Sequence, residues 1–474
     1  MIHAAQQVKT TISALRYGAR AAACMVILCA SPVDAAPTYR VEPCCDLCPS
    51  ASVPAAYNTP SLEPFRVLIQ GKDGWLFRSE SDLQTTFGPD PLGYQNLHRF
   101  QTALKARGVD LVMVYLPTRG LVHEDKVPVS AWSKKDRAQA WINYKGTMER
   151  FRQMGMIVPN MEDWMDEKDE REDFFRRDVY WTPSGARRTA QQIAKAIALL
   201  PVYKTIPKKT FITTRVGVIA KTGSLQKTAT LLCKFGYPNQ YVDQFTTSPD
   251  TKRDILARDK VPQVTLLGAS HRDRRSNFAG FLSEFLRVDI LNLNDSSGTE
   301  ENNHPLLNYL AGSLFRASPP KILIWEMEAG YNSLSSSEFY SQSIPWIRNG
   351  CREKKLALNR QTDLLHPNRV HEVLFNQRNG KILPLLEKHH QVDMQFSNPA
   401  IRQIRTVVWY TDGSKRIMTH QYPDNVDTQG RFVFGFGRQQ DQESRTFLSL
   451  DLSVLTPLDG PVGVTTRLCA QDNA

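Results

Sequence analysis

The chain has 474 residues, a formal net charge of +11, 41% hydrophobic residues and 23% charged residues. This length predicts two to three domains, and the hydrophobic fraction is sufficient for sizeable cores. The apolar run at residues 21–30 is shorter than the roughly twenty residues that span a bilayer, and no longer run follows it. The composition therefore argues against a membrane-anchored protein.

Residues 1–36 have the pattern of a secretory signal peptide. Lys9, Arg16 and Arg20 charge the leading region, an apolar run follows, and small residues at 33–35 mark a cleavage point. We expect an exported mature protein with 56 basic and 47 acidic residues, a net charge of +9. Export disfavours nucleic acid as a partner. An acidic polysaccharide or an anionic membrane surface fits this charge, and a purely solubilising role is the alternative.

The mature chain begins with two regions that differ in composition and hydrophobic pattern. Residues 37–64, rich in Pro, Ala and Ser, predict an extended lead-in, and residues 65–77 predict a hairpin around a Gly-Lys-Asp-Gly turn. Apolar runs then alternate with helical patterns, which is typical of a largely parallel α/β sheet. The predicted strands lie at about 109–117, 264–267, 288–291 and 321–325. The predicted helices lie at about 97–107, 136–154, 182–200 and 305–315.

The pattern changes after about residue 343. Short apolar runs such as RTVVWY and RFVFGF are separated by turn signals such as Asp412-Gly413, without a long helical pattern. We predict an antiparallel β-sandwich over about 350–474. Cys351 and Cys469 lie at its two ends and are well placed to join them.

Two short motifs carry candidate chemistry. The G-A-S tripeptide at 268–270 follows a predicted strand, and its small residues can hold Ser270 with its hydroxyl beyond the sheet, as in a nucleophile elbow. A serine in an ordinary turn is the more frequent meaning of so short a motif. In DVYWTPSGARR, Asp178 precedes a predicted helix, where capping or dipole complementarity is the simpler expectation. Trp181 is expected to be a core residue.

Together these motifs resemble the AlgX/AlgJ family of alginate O-acetyltransferases. DVYWTP at 178–183 resembles the family's D-x-H-W-T-P block, and G-A-S with NFAGFL at 277–282 resembles its nucleophile block. The blocks closest to the AlgX branch are GWLFRSE at 74–80, PTRGLV at 117–122 and PPKILIWE at 319–326. The resemblance implies an α/β, SGNH-hydrolase-like domain over 37–345 and an antiparallel β-sandwich carbohydrate-binding module over 346–474.

The resemblance also implies a periplasmic protein that acetylates polymannuronate during alginate biosynthesis and export. Its implied partners are the anionic uronate polysaccharide alginate, a membrane acyltransferase system that supplies acetyl groups, and other alginate export proteins. It implies neither a cofactor nor a metal. In the family a serine attacks the donor, a histidine takes its proton and an aspartate orients the histidine. Carried over, Ser270 is the nucleophile, Asp178 the acid, and Tyr180 stands at the position of the base.

Tyr180 is the main departure from the family pattern, because a phenol titrates near pH ~10 and keeps its proton at neutral pH. Acetyl transfer could be lost, which would leave a polymer-binding scaffold, or another histidine could be the base. The candidate histidines are His123, His271 and His304. A third possibility is an anionic Tyr180 with a pKa lowered by basic neighbours such as Arg177, an effect that Asp178 opposes. Residues 294–303 also replace a glycine-rich stretch of the family.

The resemblance assigns polymer binding to residues of the C-terminal module. They are Arg369, Arg405, Trp409 and Lys415. An aromatic face stacks on sugar rings, and cationic side chains pair with uronate carboxylates. Without the resemblance, a core tryptophan and a solvated basic face would be expected.

Six cysteines follow the predicted cleavage point, and an even set in an oxidising compartment favours disulfides. The C-C-x-x-C sequence at 44–48 could instead indicate a metal site, but no histidine lies near it. The family pattern pairs Cys48 with Cys233 and Cys351 with Cys469. Cys44 and Cys45 then remain as a vicinal pair or as free thiols.

Overall fold

The computed structural model describes most of the chain after the predicted signal peptide. The described residues are 44–132, 135–162, 172–250, 261–268, 274–293, 305–330, 333–364, 366, 369–436, 445–458 and 460–471. The signal-peptide prediction for residues 1–36 therefore lies outside them. Among the described helices, none has the length and apolarity needed to cross a membrane.

A parallel sheet organises the amino-terminal region, as the sequence predicts. The strands of this region, inside and outside that sheet, are β1 (Leu68–Gln70), β2 (Leu76–Arg78), β3 (Asp110–Leu116), β4 (Phe211–Lys221), β5 (Gln240–Pro249), β6 (Val264–Gly268), β7 (Ile290–Asn292) and β8 (Ile322–Glu328). Strands β3, β8, β6 and β7 pair in that order and in parallel, whereas β1 and β2 form the predicted hairpin. Every residue of β6 and β8 is buried, as expected when helices cover both faces of a parallel sheet.

Ten helices are described around this sheet, and several begin at a side chain that caps the first turn. They are α1 (Pro91–Ala106), α2 (Arg119–Val122), α3 (Val129–Trp132), α4 (Arg137–Gln153), α5 (Pro183–Ala198), α6 (Ser224–Cys233), α7 (Phe278–Leu286), α8 (Pro305–Ala311), α9 (Ser313–Ala317) and α10 (Ser337–Ile347). Asp90, Asp136 and Thr182 accept N-cap hydrogen bonds at the starts of α1, α4 and α5. The single helix predicted at 305–315 is divided into α8 and α9, because the Ser313 N–H bonds the distant Asp427 carbonyl.

A long two-stranded ribbon, β4 with β5, was not predicted from the sequence. The two strands pair from Phe211 opposite Pro249 to Lys221 opposite Gln240, and α6 lies in the connection between them. Most residues of β4 are at least partly exposed, so the strand lacks the apolar run that marks a buried strand. This ribbon brings Lys221 and the start of α6 to the loop that carries Asp178.

The C-terminal region is the predicted β-sandwich. Its strands are β9 (Leu356–Leu364), β10 (His371–Phe375), β11 (His390–Phe396), β12 (Gln403–Tyr410), β13 (Lys415–Gln421), β14 (Arg431–Gly435), β15 (Phe447–Val454) and β16 (Val462–Ala470). They form two antiparallel sheets in the orders β10-β15-β12-β13 and β14-β11-β16-β9. Strand β12 alternates buried and more exposed residues, the pattern of a sheet with one face on the core.

Disulfides fasten both regions. The structure joins Cys48 to Cys233 and Cys351 to Cys469, the two pairs that the resemblance implies. Cys44 and Cys45 form a vicinal disulfide and are therefore not free thiols. Because all three cysteines of the C-C-x-x-C sequence are in disulfides, the alternative of a metal site there is wrong.

Candidate acyl-transfer site and polymer-binding face

The candidate nucleophile follows the carboxyl end of β6. Strand β6 ends at Gly268, and Ser270 with His271 lies just beyond it, outside the described residues, as does His304. In open α/β sheets, ligands bind outside the carboxyl ends of the strands.

Gly268 has a steric reason to be glycine. It pairs with Glu326 of β8, a residue that is completely buried. A Cβ atom at Gly268 would lie 2.2 Å from the Glu326 Oε2 atom, far inside van der Waals contact. The first residue of the G-A-S motif therefore makes room for a buried carboxylate beside the strand end.

Asp178 is buried and fully engaged. Its Oδ1 atom accepts hydrogen bonds from the Ser224 hydroxyl at 2.6 Å, the Ser224 N–H at 3.0 Å and the Val179 N–H at 2.8 Å. Its Oδ2 atom pairs with the Lys221 ammonium at 3.0 Å. Ser224 opens α6, so Asp178 does stabilise a helix start. That helix is not the one next to it in sequence, because Thr182 caps α5.

Lys221 is the cation that faces Tyr180. Its Nζ atom lies 5.1 Å from the centre of the Tyr180 ring and 5.6 Å from that of Phe175. Arg177, the neighbour expected from the sequence, donates hydrogen bonds to the Gly74 and Pro238 carbonyls. Sequence reasoning missed Lys221 because 43 residues separate it from Asp178 in the chain and no local pattern connects the two.

His123 does not occupy the position of the base. Its ring packs against Trp75, with centroids 4.3 Å apart, and edge-on against Phe174 at 6.0 Å. Burial, reinforced by nearby cations such as Arg119, lowers the pKa of His123 to about 3, so the ring is neutral at neutral pH. The described partners of Asp178 do not include His123. Among the described residues, His123 is therefore a neutral, buried imidazole that packs on aromatic rings and does not contact Asp178.

A buried ion network holds the loop that leads to Asp178. Its members are Arg78, Asp82, Arg119 and Glu328. Asp82 pairs with Arg78 at 2.7 Å and with Arg119 at 2.9 Å, and Arg78 also pairs with Glu328 at 2.9 Å. Arg119 donates further hydrogen bonds to the Phe175 and Arg176 carbonyls. These carbonyls are three and two residues before Asp178, so the network fixes the backbone on which Asp178 lies.

The two sequence motifs meet through an aromatic contact. Trp181, which is 1% exposed as a core residue should be, lies with its ring 4.6 Å from that of Phe278 at the start of α7. Nearby, Arg187 of α5 lies over the Phe281 ring at 5.3 Å and pairs with Glu284 at 3.5 Å. The helix that follows Asp178 is therefore packed along the helix that follows Ser270.

Three of the four residues assigned to polymer binding share one face of the sandwich. Trp409 and Lys415 are opposite each other in β12 and β13, with the Lys415 ammonium 5.1 Å from the tryptophan ring centre. The indole N–H donates to Asp451 at 2.7 Å, and the ring is partly exposed, so the alternative of a core tryptophan is wrong. Arg405 is exposed on the same face, four residues earlier in β12. Arg369 is exposed two residues before β10, at the end of the sheet where Arg405 lies.

Comparisons with known proteins agree with this architecture. A family described as "SGNH hydrolase-like domain, acetyltransferase AlgX" matches residues 68–329, more than half of the chain. The chain belongs to the AlgX family. A C-terminal carbohydrate-binding module matches residues 350–474. This chain therefore combines an acetyltransferase-like domain with a carbohydrate-binding module, in agreement with the fold described above.

Individual relatives cover nearly the whole chain. The alginate biosynthesis protein AlgX of Pseudomonas aeruginosa is 38% identical over 443 residues, which is 93% of this chain and 91% of that protein. A solved structure of Pseudomonas aeruginosa AlgX superposes with a TM-score of 0.77 at 36% identity and covers 90% of this chain and 100% of that chain. The probable alginate O-acetylase AlgJ of Pseudomonas putida is 28% identical over 62% of this chain and 78% of its own length.

Proposed function

We propose that this AlgX family protein transfers acetyl groups to alginate through Ser270, while the C-terminal module holds the polymer. The observation that carries the proposal is the packing of Trp181 on Phe278. This contact joins the loop of Asp178 to the helix that follows Ser270, which favours a shared site at the carboxyl end of β6. The relationship to a probable O-acetylase supports the same chemistry.

The proposed reaction has two steps. First, the Ser270 hydroxyl loses its proton and forms an ester bond to the acetyl carbon, while the donor's own ester bond breaks and its oxygen leaves with a proton. Then a hydroxyl of the polymer attacks this ester, takes the acetyl group and restores the Ser270 hydroxyl. Both steps need a proton acceptor, because a hydroxyl is a weak nucleophile at neutral pH.

Lys221 does not supply that acceptor in the arrangement described. Its ammonium donates to Asp178 and lies against the Tyr180 ring, so it orients the carboxylate. Besides His123, the candidates for the acceptor are His271, His304 and an ionised Tyr180. Among these, the two histidines lie outside the described residues.

A polymer-binding scaffold with impaired acetyl transfer is the second candidate function. It is favoured by the contacts of Asp178, because one carboxylate oxygen already accepts hydrogen bonds from Ser224 and the other pairs with Lys221. In this alternative Asp178 keeps a structural role, while Tyr180 replaces the family's histidine. The polymer-binding face is the same in both candidate functions.

The substitution Ser270→Ala separates the two functions. If Ser270 is the nucleophile, the mature protein should transfer acetyl groups from an activated acetyl ester to mannuronate oligomers, and the variant should lose ~100-fold or more of this rate. Mass spectrometry should detect acetyl-Ser270 in the wild type only. Ser318→Ala, a serine remote in sequence from both motifs, should retain the rate. A wild-type protein that forms neither acetyl-Ser270 nor acetylated oligomers would contradict acetyl transfer.

Binding of the polymer is expected to depend on Trp409. Trp409→Ala should weaken the affinity for mannuronate oligomers about tenfold, since an aromatic stacking contact contributes ~1–1.5 kcal/mol. Calorimetric titration measures this loss, and added salt should weaken wild-type binding because Arg405 and Lys415 are exposed. Trp141→Ala is a matched control, because Lys145 lies over that ring as well, in α4. Equal affinities of the two variants for mannuronate oligomers would contradict a role of Trp409 in polymer binding.

The sequence also supports a location and a set of partners for this activity. The signal-like residues 1–36 and the three disulfides fit export to an oxidising compartment. The family resemblance implies that this compartment is the periplasm. There the protein would receive acetyl groups that a membrane acyltransferase system supplies. It would act on alginate alongside other alginate export proteins.

A further inference from the structure

A cleft of about 310 Å³ lies between helix α10 and strand β13 of the sandwich. Its side chains come from both elements. They are Glu338, Ser341 and Gln342 of α10 and Arg416, Ile417, Met418, Thr419 and His420 of β13. The volume is at the lower end of the ~300–1,000 Å³ that is typical of small-molecule sites, and a single sugar residue is an occupant of suitable size.

His420 is the feature that points to a ligand. Its side chain is 2% exposed, and its ring stacks on Phe434 of the facing sheet with centroids 4.2 Å apart. Within the described part of the chain, its Nε2 atom is buried without a hydrogen-bond partner. Burial lowers the pKa of His420 to about 3, so the imidazole is neutral at neutral pH. A buried polar atom without a partner is destabilising, and a hydrogen bond from a ligand would offset this cost.

Besides the exposed carboxylate of Glu338, the remaining lining offers groups that can bind a uronate residue. A sugar hydroxyl both donates and accepts, so it can pair with either tautomer of a neutral imidazole and with the Gln342 amide. Gln342 is 7% exposed, so its amide is held in the wall of the cleft. Arg416 uses one N–H on the Phe436 carbonyl, and its guanidinium brings a positive charge suited to a carboxylate. Met418 adds apolar surface for a ring face.

The cleft and the polymer-binding face share strand β13. Strand β13 is the outermost strand of its sheet among the described residues, and its only described partner is β12. Lys415, which covers the Trp409 ring, is adjacent in sequence to Arg416, and successive residues of a strand point to opposite faces. A chain that crosses the outer face at Lys415 and passes the free edge of β13 thus reaches Arg416 in the cleft.

We propose that this cleft binds one uronate residue of a polymer whose neighbouring residues lie on the face of Arg405, Trp409 and Lys415. Gln342 and His420 bind its hydroxyls, and Arg416 pairs with its carboxylate. This subsite rests on the polymer binding proposed above and extends it to the junction between the sandwich and α10.

The test is calorimetric titration of the full mature protein with mannuronate oligomers of increasing length. Wild-type affinity should rise with length until the cleft is filled. His420→Phe keeps the ring stacking but removes the nitrogen, and Gln342→Leu keeps the volume but removes the amide. Each variant should lose about tenfold in affinity for long oligomers only, the effect of one or two hydrogen bonds. Gln192→Leu, a buried helical glutamine in α5, is the matched control and should behave as wild type.

The outcomes separate this proposal from the one on which it rests. Unchanged binding of short oligomers shows that each variant is folded with an intact outer face. If both variants keep the full length dependence of the wild type, the subsite is wrong while polymer binding stands. If the wild type binds no oligomer of any length, polymer binding is wrong and the subsite with it.

Discussion

Tyr180→His is expected to raise the rate of acetyl transfer to mannuronate oligomers by ~100-fold or more, the usual contribution of a positioned general base. A neutral imidazole accepts the Ser270 proton, whereas a phenol at neutral pH does not. Asp178 is already held in place by Ser224 and Lys221, so the new side chain enters a supported loop. The Lys221 cation beside residue 180 favours the neutral, proton-accepting form of the imidazole. The rate is measured as acetylated oligomer formed from an activated acetyl ester.

Two further variants interpret this result. Tyr180→Phe keeps the ring against Lys221 and removes only the hydroxyl, so a lower rate in this variant would mean that the phenol itself takes part. The double variant Tyr180→His with Ser270→Ala should lose the whole gain if the gain passes through the serine. A folded Tyr180→His protein with no increase would contradict the assignment of residue 180 as the vacant base position.

Asp82→Asn is expected to lower the free energy of unfolding by ~3–5 kcal/mol, because it leaves two buried guanidinium groups without their common carboxylate. Asp82 and Arg119 are both 0% exposed, and Arg78 is 2% exposed. Denaturant unfolding followed by tryptophan fluorescence measures the change. Asp73→Asn is the matched control, since Asp73 pairs with Lys126 at 2.7 Å in an exposed ion pair that should contribute less than ~1 kcal/mol. Similar losses for the two variants would show that the buried network adds little.

The same carboxylate predicts a pH dependence of stability. Burial by itself would raise the pKa of Asp82, but the charges of Arg78 and Arg119 outweigh it, and the pKa is lowered. A carboxyl group with a lower pKa in the folded state stabilises that state fully above its unfolded value of about 3.9, and this contribution is lost as the pH falls through the folded value. The wild type should therefore lose stability in acid more steeply than Asp82→Asn, which has no such carboxyl group.

Local sequence patterns were sufficient to predict most of the strands and helices of the fold. The strands at 264–268 and 322–328 are rich in apolar residues, and the helices at 137–153 and 183–198 start at side chains that cap their own first turn. Such signals act between residues that are close in the chain, so they can be read without knowing what packs against them. The ribbon of β4 and β5 was not predicted, because its strands are largely exposed and lack an apolar run.

The sequence by itself determined the α/β region, the sandwich and the motifs that identify the family, because each depends on neighbouring residues. Only the tertiary structure decided what Asp178 contacts. Its partner Ser224 lies 46 residues away in the chain, and its partner Lys221 lies in a strand that no local sequence pattern predicts. It also decided that His123 is enclosed by aromatic rings and that His420 faces a cleft. Charge pairing and burial depend on which distant segments meet in space, and that is settled by the packing of the whole chain.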